Sequence, residues 1–221
     1  MRITKDSQRG RVKESIHGTC NVFDDKEIIE YHPMFRQEEL GKCTNKYDEE
    51  EDVYIDFTRN DKAIIQQQAT RGCIAATAAM LIKDQGGKPD FATLQCRNLG
   101  SDEDIQQDIQ KAVFKPIITP LASNSLEMFR KQLLEYGSAI VSIWDPLAGG
   151  HSIVVDEVSK NLKQVRLRDP YHGWEITVSA EAFQSRWKEQ AVIQIENKVS
   201  SQKNHSRGNA LNAWSNFWRE N

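Results

Sequence analysis

The sequence predicts an α+β fold in which a group of helices precedes an antiparallel sheet. Two observations support this prediction. Between residues 70 and 136, three segments carry the caps or the apolar spacing of α-helices, and glycines or prolines separate them. From residue 138 onward, short segments rich in branched and aromatic residues alternate with polar turns, as antiparallel strands do.

Three helices are expected in the first part of the pattern. The first is rich in alanine, begins at Cys73 and ends before Gly86 and Gly87, which favour a helix C-terminus. The second opens with the acidic residues 102–104, which suit the positive end of the helix dipole, and runs to about residue 113. The third spans residues 126–136. Its apolar stripe consists of Leu126, Phe129, Leu133 and Tyr136.

The second part of the pattern predicts a sheet. Pro116 and Pro120 bracket a short extended segment, and a short helix at residues 180–187 interrupts the later strands. Each strand is bounded by glycine, proline or a polar turn. The five strands are expected at residues 138–144, 151–158, 164–169, 174–178 and 191–196.

Composition divides the chain into three expected parts. Residues 1–60 form an acidic N-terminal extension, because they are rich in charge and have few periodic apolar residues outside a short strand at residues 53–57. Residues 61–197 form the folded domain. Residues 198–221 form a polar linker and a Trp-rich amphipathic segment. The apolar face of that segment carries Leu211, Trp214 and Trp218.

Charge and hydropathy argue against several classes of protein. A net charge of -3 and a pI near 6.0 are unlike those of a general nucleic-acid binder. The sequence lacks both a run of about 18 apolar residues and the apolar core of a secretory signal. We therefore expect no membrane span, and a location in the cytoplasm or export without a Sec signal. The four cysteines are widely spaced, which favours reduced thiols, and no metal or cofactor is predicted.

The strongest chemical signal is Cys73. It follows Gly72 and opens the alanine-rich helix, where backbone N–H groups favour the thiolate, the reactive form of cysteine. A glutamine upstream can direct its amide at a developing oxyanion, and Gln66, Gln67 and Gln68 all lie near the required offset. Taken alone, Cys73 also fits a buried cysteine at the start of a core helix.

A histidine and an aspartate complete a candidate triad. His151 opens one expected strand and Asp169 ends the next, so that hairpin formation brings them opposite each other on one face. The carboxylate can then orient the imidazole as a general base. His172, just beyond Asp169, is the nearest rival histidine. Asp156 alternates to the other face, where we expect it to contribute little.

Taken together, these segments resemble the papain-like cysteine peptidases. The resemblance is to the branch that includes bacteriocin-processing peptidase domains and type III effector peptidases, and it covers about residues 64–195. The order Gln, Cys, His, Asp-Pro of that branch matches Cys73, His151 and Asp169 with the following proline. It implies a papain-like fold, with the nucleophile helix packed on an antiparallel sheet. It also implies Gln67, six residues before Cys73, as the oxyanion residue. Ile74 stands where many members have glycine.

The function that this resemblance implies is thiol-dependent amide hydrolysis, by a cysteine peptidase that acts on a protein or peptide substrate and serves as a bacterial effector. Glutamine deamidation, transglutamination and removal of ubiquitin-like modifiers use the same machinery. A papain-fold module that binds without catalysis, or an adaptor that works through the Trp-rich tail, are alternatives of another class. Further partners are expected to dock on the N-terminal extension or the C-terminal segment.

Overall fold

The structure is a computed structural model that describes residues 22–44, 50–69, 71–121, 125–145, 149–187 and 191–196. This part of the chain contains ten strands and five helices. The strands are β1 (Ile28–His32), β2 (Arg36–Thr44), β3 (Glu50–Phe57), β4 (Ala63–Ile65), β5 (Pro116–Pro120), β6 (Ala139–Asp145), β7 (Gly149–Val158), β8 (Gln164–Asp169), β9 (Trp174–Ser179) and β10 (Ala191–Ile195). The helices are α1 (Cys73–Asp84), α2 (Phe91–Cys96), α3 (Asp102–Lys111), α4 (Leu126–Tyr136) and α5 (Ala180–Arg186).

A seven-stranded antiparallel sheet forms the body of the fold. Its strand order is β1-β9-β8-β7-β6-β10-β5, and β2, β3 and β4 form a second, three-stranded sheet. Strands β6 to β9 follow one another through tight connections, so they pair with their sequence neighbours. The five later strands therefore lie where their alternating pattern predicts them.

Helices pack on both faces of the large sheet. On one face α1 and α3 bury Met80 and Ile105 against strand residues that include Ile140 and Val154. On the other face Phe129 of α4 joins a core formed by the alternate strand positions. That core includes Val141, Ile143, Ile153, Val155, Val165 and Leu167. The two-residue alternation of each strand separates the two cores.

The predicted helices begin and end close to their expected positions. Gly86 (φ 75°) follows the last turn of α1, and its N–H bonds the Lys83 carbonyl, so α1 ends before the two glycines as predicted. Ser101 and Asp104 form a capping box at the start of α3. Helix α2 was not predicted. Its six residues are too few to show periodicity, and its sequence signal is the cap that Asp90 provides to the Ala92 N–H.

The N-terminal segment contributes more structure than its composition suggested. Strand β1 pairs with β9 at the edge of the large sheet, and Val53, Ile55 and Phe57 of β3 are buried. The described part of the expected extension therefore contributes strands to both sheets. Its apolar residues are few because β1 and β2 are edge strands and β2 is exposed along residues 36–39. The boundary at residue 60 stays a prediction.

No helix in the described ranges is long and apolar enough to cross a bilayer. The Trp-rich segment predicted near the C-terminus lies outside the described residues.

Candidate functional site

Cys73 is the first residue of α1, and Gly72 precedes it at the N-cap. The N-cap makes no side-chain hydrogen bond, and the first turn carries no acidic residue. The N–H groups of this turn have no acceptor within the helix, so the positive end of the helix dipole lies at the thiol. The local sequence therefore prepares the sulfur for negative charge.

His151 and Asp169 come together on the large sheet beside Cys73. Nε2–H of His151 donates to Oδ1 of Asp169 at 2.8 Å, and both side chains are buried. The same Oδ1 accepts the Tyr171 N–H at 2.9 Å. The Cys73 thiol shares a hydrogen bond with His151. Because Nε2 is engaged with Asp169, Nδ1 is the ring nitrogen left for the sulfur.

The hairpin register differs slightly from the predicted one. Strands β7 and β8 pair Val154 with Arg168 and Val155 with Leu167, and an irregularity follows at Asp156. Continuing this register, Asp169 lies opposite the residue two positions after His151, so the two side chains meet diagonally on one face. The sequence could not reveal the irregularity, because a bulge has no reliable local signature.

The charges of the site support one another. Burial alone would raise the pKa of Cys73, but its hydrogen bond to His151, the His151 charge and the N–H groups of Ser152 and Ile74 hold that pKa below its usual range. Burial would lower the pKa of His151, yet Asp169 and the Cys73 sulfur raise it to about 10. The pKa of Asp169 falls below its usual range because the imidazolium outweighs burial. This arrangement favours a thiolate and imidazolium pair.

Gln67 lies in the loop that leads into Cys73. Its side-chain Nε2–H donates to the Ala69 carbonyl at 3.2 Å, and its backbone N–H donates to the Pro170 carbonyl at 2.9 Å. The first bond holds the amide against the loop before the helix. The second ties this loop to the residue after Asp169. The neighbouring glutamines turn elsewhere: Gln66 donates to the Tyr171 carbonyl and Gln68 to the Gln66 carbonyl.

The rival histidine, His172, packs away from the thiol. Its ring stacks on Trp174 with centroids 4.0 Å apart, and Tyr171 packs edge-on against both His172 and His151. Its charge still lowers the pKa of Asp169. His172 therefore belongs to the aromatic wall beside the site.

Sequence reasoning missed Arg168, which is fully buried. All five guanidinium N–H groups are used: they bond Asp84 at the end of α1, Asp156 of β7 and the Ala63 carbonyl. Asp156 also accepts the Ser138 hydroxyl at 2.6 Å. Asp156 does face away from His151, but the expectation that it contributes little is wrong, because it neutralises a buried cation. No local signal marked Arg168, because polar and apolar residues alternate through most of β8 and Arg168 falls where an exposed polar residue is expected.

Comparison with known proteins places the chain in a family. A family described as papain-like cysteine protease AvrRpt2 matches residues 56–188, which is more than half of the sequence. The chain belongs to this family. It is therefore a papain-like cysteine peptidase, and the matched residues span the segment from the end of β3 to just beyond α5.

One solved structure agrees with the fold, and two others resemble it more weakly. The peptidase domain of Streptococcus ComA, a bi-functional ABC transporter involved in quorum sensing, superposes with a TM-score of 0.50 at 22% identity, over 60% of this chain and 96% of that domain. The Streptococcus mutans ComA peptidase domain gives 0.45 at 21% identity, over 61% and 98%. The Pseudomonas avirulence protein AvrPphB gives 0.23 at 14% identity, over 56% and 68%. A search of curated proteins finds no match.

Proposed function

We propose that this peptidase cleaves protein substrates with Cys73 as nucleophile, His151 as proton carrier and Asp169 as the residue that orients His151. One observation carries the proposal. Three elements far apart in sequence bring a thiol at a helix N-terminus, an imidazole and a buried carboxylate into one hydrogen-bonded series. That series is what nucleophilic acyl transfer by a cysteine requires.

The resting state is a thiolate and imidazolium pair. The His151 pKa of about 10 keeps the ring protonated at neutral pH, and the lowered Cys73 pKa favours the ionised sulfur. Asp169 accepts a hydrogen bond from Nε2–H, which orients the ring so that Nδ1–H points at the sulfur. The nucleophile is therefore formed before the substrate binds.

Attack of the thiolate on the substrate carbonyl carbon moves the carbonyl electrons onto oxygen. The Cys73 backbone N–H, which has no helical acceptor, and the Gln67 amide are proposed to donate to this oxyanion. Support for Gln67 over its neighbours is its six-residue lead and its side-chain bond to Ala69, which holds it in the loop before the helix. The bond between Gln67 and Pro170 keeps that loop aligned with Asp169.

Nδ1–H of His151 then protonates the leaving amine, and the C–N bond breaks to give a thioester on Cys73. Neutral His151 next removes a proton from water as water attacks the thioester carbonyl. Collapse of this intermediate breaks the C–S bond and releases the carboxylic acid and the thiolate, while the imidazole keeps the proton it took from water. Asp169 stays ionised throughout.

We further propose that the protein is a bacterial effector and acts on proteins of another cell. Support for this comes from membership of the family described by AvrRpt2. Expression of the wild type and of Cys73→Ala in eukaryotic cells, followed by quantitative proteomics, tests the idea. Host proteins shortened only by the wild type are expected, and an unchanged proteome would contradict it.

The reaction itself is tested by incubating the purified protein with a broad peptide mixture and sequencing the products. A peptidase creates new N-termini, whereas a deamidase converts glutamine to glutamate without cleavage and a transglutaminase joins an amine. We expect new N-termini that disappear in Cys73→Ala and persist in Cys96→Ala, the matched control at an exposed cysteine. Unmodified peptides would indicate a binding module.

A further inference from the structure

A cavity of about 320 Å³ opens beside the candidate site. It lies between the small sheet and the turn that follows Asp169. One wall is formed by Gln37 of β2 and by β3, and the other by the two glutamines that flank Gln67 and by the turn. On the side of the small sheet the lining residues are Met34, Asp52, Val53, Tyr54 and Asp56. On the other side they are Gln66, Gln68, His172, Gly173 and Trp174.

The wall next to the site is held to the catalytic segments. Gln66 donates to the Tyr171 carbonyl at 3.3 Å, and Gln67 donates from its backbone to Pro170. Gly173 adopts φ 64°, and a Cβ there would lie 3.0 Å from Cβ of Gln66. Any other residue at this position would have a strained backbone, and its side chain would lie too close to Gln66. A ligand in the cavity would contact the same loop that carries Gln67.

The opposite wall is acidic. Asp52, Tyr54 and Asp56 alternate along β3 and share one face, while the residues between them are buried. Glu39 of β2 lies opposite Tyr54 in the register and adds a third carboxylate near this face. Among the residues that the structure describes, the cavity lining includes neither lysine nor arginine. Lys42 is paired with Asp52 in the register, but its ammonium lies 3.5 Å from Glu50.

Neutral groups orient the two carboxylates of the lining without removing their charge. The Tyr54 hydroxyl donates to Asp52 at 3.1 Å, and the Gln37 amide donates to Asp56 at 3.0 Å. Met34 and Trp174 contribute apolar surface to the same cavity. Apolar walls that lead to fixed carboxylates suit a long aliphatic side chain with a cationic end.

We propose that this cavity is a specificity pocket for a lysine or arginine side chain of the substrate polypeptide, on one side of the amide bond that Cys73 attacks. The inference rests on the proposed function, because it takes Cys73 as the reacting atom. The basic side chain would draw the substrate to the acidic face of β3 and seat its backbone against the Gln67 loop.

The test uses the rate at which short peptides carrying a chloroacetyl group alkylate Cys73, measured by intact mass. Lysine, arginine, norleucine or glutamate is placed at each position around the electrophile in turn. We expect one position at which the basic peptides react faster than norleucine by roughly threefold to tenfold, as for a partly exposed ion pair. Added salt should reduce that preference.

Variants locate the effect in the cavity. Asp52→Asn with Asp56→Asn should abolish the preference for the basic residue, measured as the ratio of the basic-peptide rate to the norleucine rate. The matched control Glu103→Gln removes an exposed carboxylate of α3 and should retain the preference. Thermal melts confirm that each variant is folded.

The outcomes separate the two proposals. Alkylation of Cys73 with equal rates for all four residues, or a preference that survives the double variant, overturns the basic pocket and leaves the thiol reactive. A basic preference in a protein that cleaves no peptide supports the pocket and contradicts amide hydrolysis. If Cys73 is not alkylated by any peptide, both proposals are wrong.

Discussion

Arg168 and Asp169 are consecutive residues of β8, yet they act at opposite ends of α1. Arg168 binds Asp84, the last residue of the helix, whereas Asp169 binds His151, which contacts Cys73, the first residue. The helix between them has 12 residues and is about 18 Å long. Arg168 shares the face of its register partner Val154, which α1 covers, whereas Asp169 ends the strand beside His151.

The two clusters differ in how completely their groups are bonded. The Arg168 cluster uses every guanidinium donor, is sealed from water and keeps its charge, because Asp156 and Asp84 raise the arginine pKa further despite burial. In the Cys73 cluster the sulfur is only half-buried and shares its proton with His151. A saturated cluster contributes to stability, and one with a mobile proton can do chemistry.

The largest expected effect is on turnover. Cys73→Ala and His151→Ala should each lower kcat/KM by at least about a thousandfold without unfolding the domain, because they remove the nucleophile and its proton carrier. Peptide cleavage assays paired with thermal melts measure both quantities. Residual activity near that of the wild type in either variant would remove that residue from the proposed mechanism.

The Arg168 cluster should show the opposite behaviour. Arg168→Met removes the guanidinium that two buried carboxylates share and leaves Asp84 only Lys62, 3.8 Å away, so the free energy of unfolding should fall by about 3–5 kcal/mol. Denaturant titration measures the change. Lys115→Gln, which breaks an exposed ion pair with Glu196, is the control and should cost less than about 1 kcal/mol. Equal losses would mean that the Arg168 cluster is not a stabilising centre.

The glutamines can be separated by single substitutions. Gln67→Ala should lower kcat by about a hundredfold to a thousandfold, the usual size for one oxyanion donor. Gln66→Ala and Gln68→Ala serve as matched controls and should stay within about tenfold of the wild type, because neither is proposed to contact the oxyanion. If one of them shows the large loss instead, the oxyanion residue is that glutamine.

Two isosteric changes compare the clusters directly. Asp169→Asn should slow turnover on the order of a hundredfold, which is less than the ~10⁴-fold loss in a serine triad. The loss is smaller because the amide oxygen can still accept a hydrogen bond from Nε2–H. Asp156→Asn should leave turnover nearly unchanged but lower the unfolding free energy by about 1–3 kcal/mol, since it weakens a buried charged bond. Activity and unfolding measurements on both variants test this difference. A large loss of turnover in Asp156→Asn, together with nearly normal turnover in Asp169→Asn, would contradict the assigned roles.

The smallest effect is a shift in pH dependence. Because the Cys73 pKa is lowered, its alkylation by iodoacetamide should rise at a lower pH than that of a free thiol near 8.5. The His151 pKa is raised from 6.5 to about 10, so its contribution to stability is complete below pH 6.5 and is lost as pH rises through 10. Alkylation rates from pH 4 to 10, with Cys96 as internal reference, measure the first effect. A profile that matches Cys96 would exclude the ion pair.

Local signals singled out three residues, Cys73, His151 and Asp169, whose catalytic roles remain a proposal. Glycine and alanine around Cys73, the strand that follows His151 and the turn after Asp169 are all short-range patterns, and the structure brings these residues into contact. The choice of Gln67 among three glutamines remains a prediction. The three are consecutive, so their distances from Cys73 differ by one residue each, and no local pattern distinguishes them.

The sequence by itself determined the order of helices and strands and the caps that begin and end α1 and α3, because each depends on neighbours a few positions away. Only the tertiary structure decided the partners of Arg168, one of which lies 84 residues away, the pairing of β1 with β9 and the acidic cavity beside Gln66. These features join segments that are distant in the chain. Their contacts form only when these segments pack together, so no local pattern encodes them.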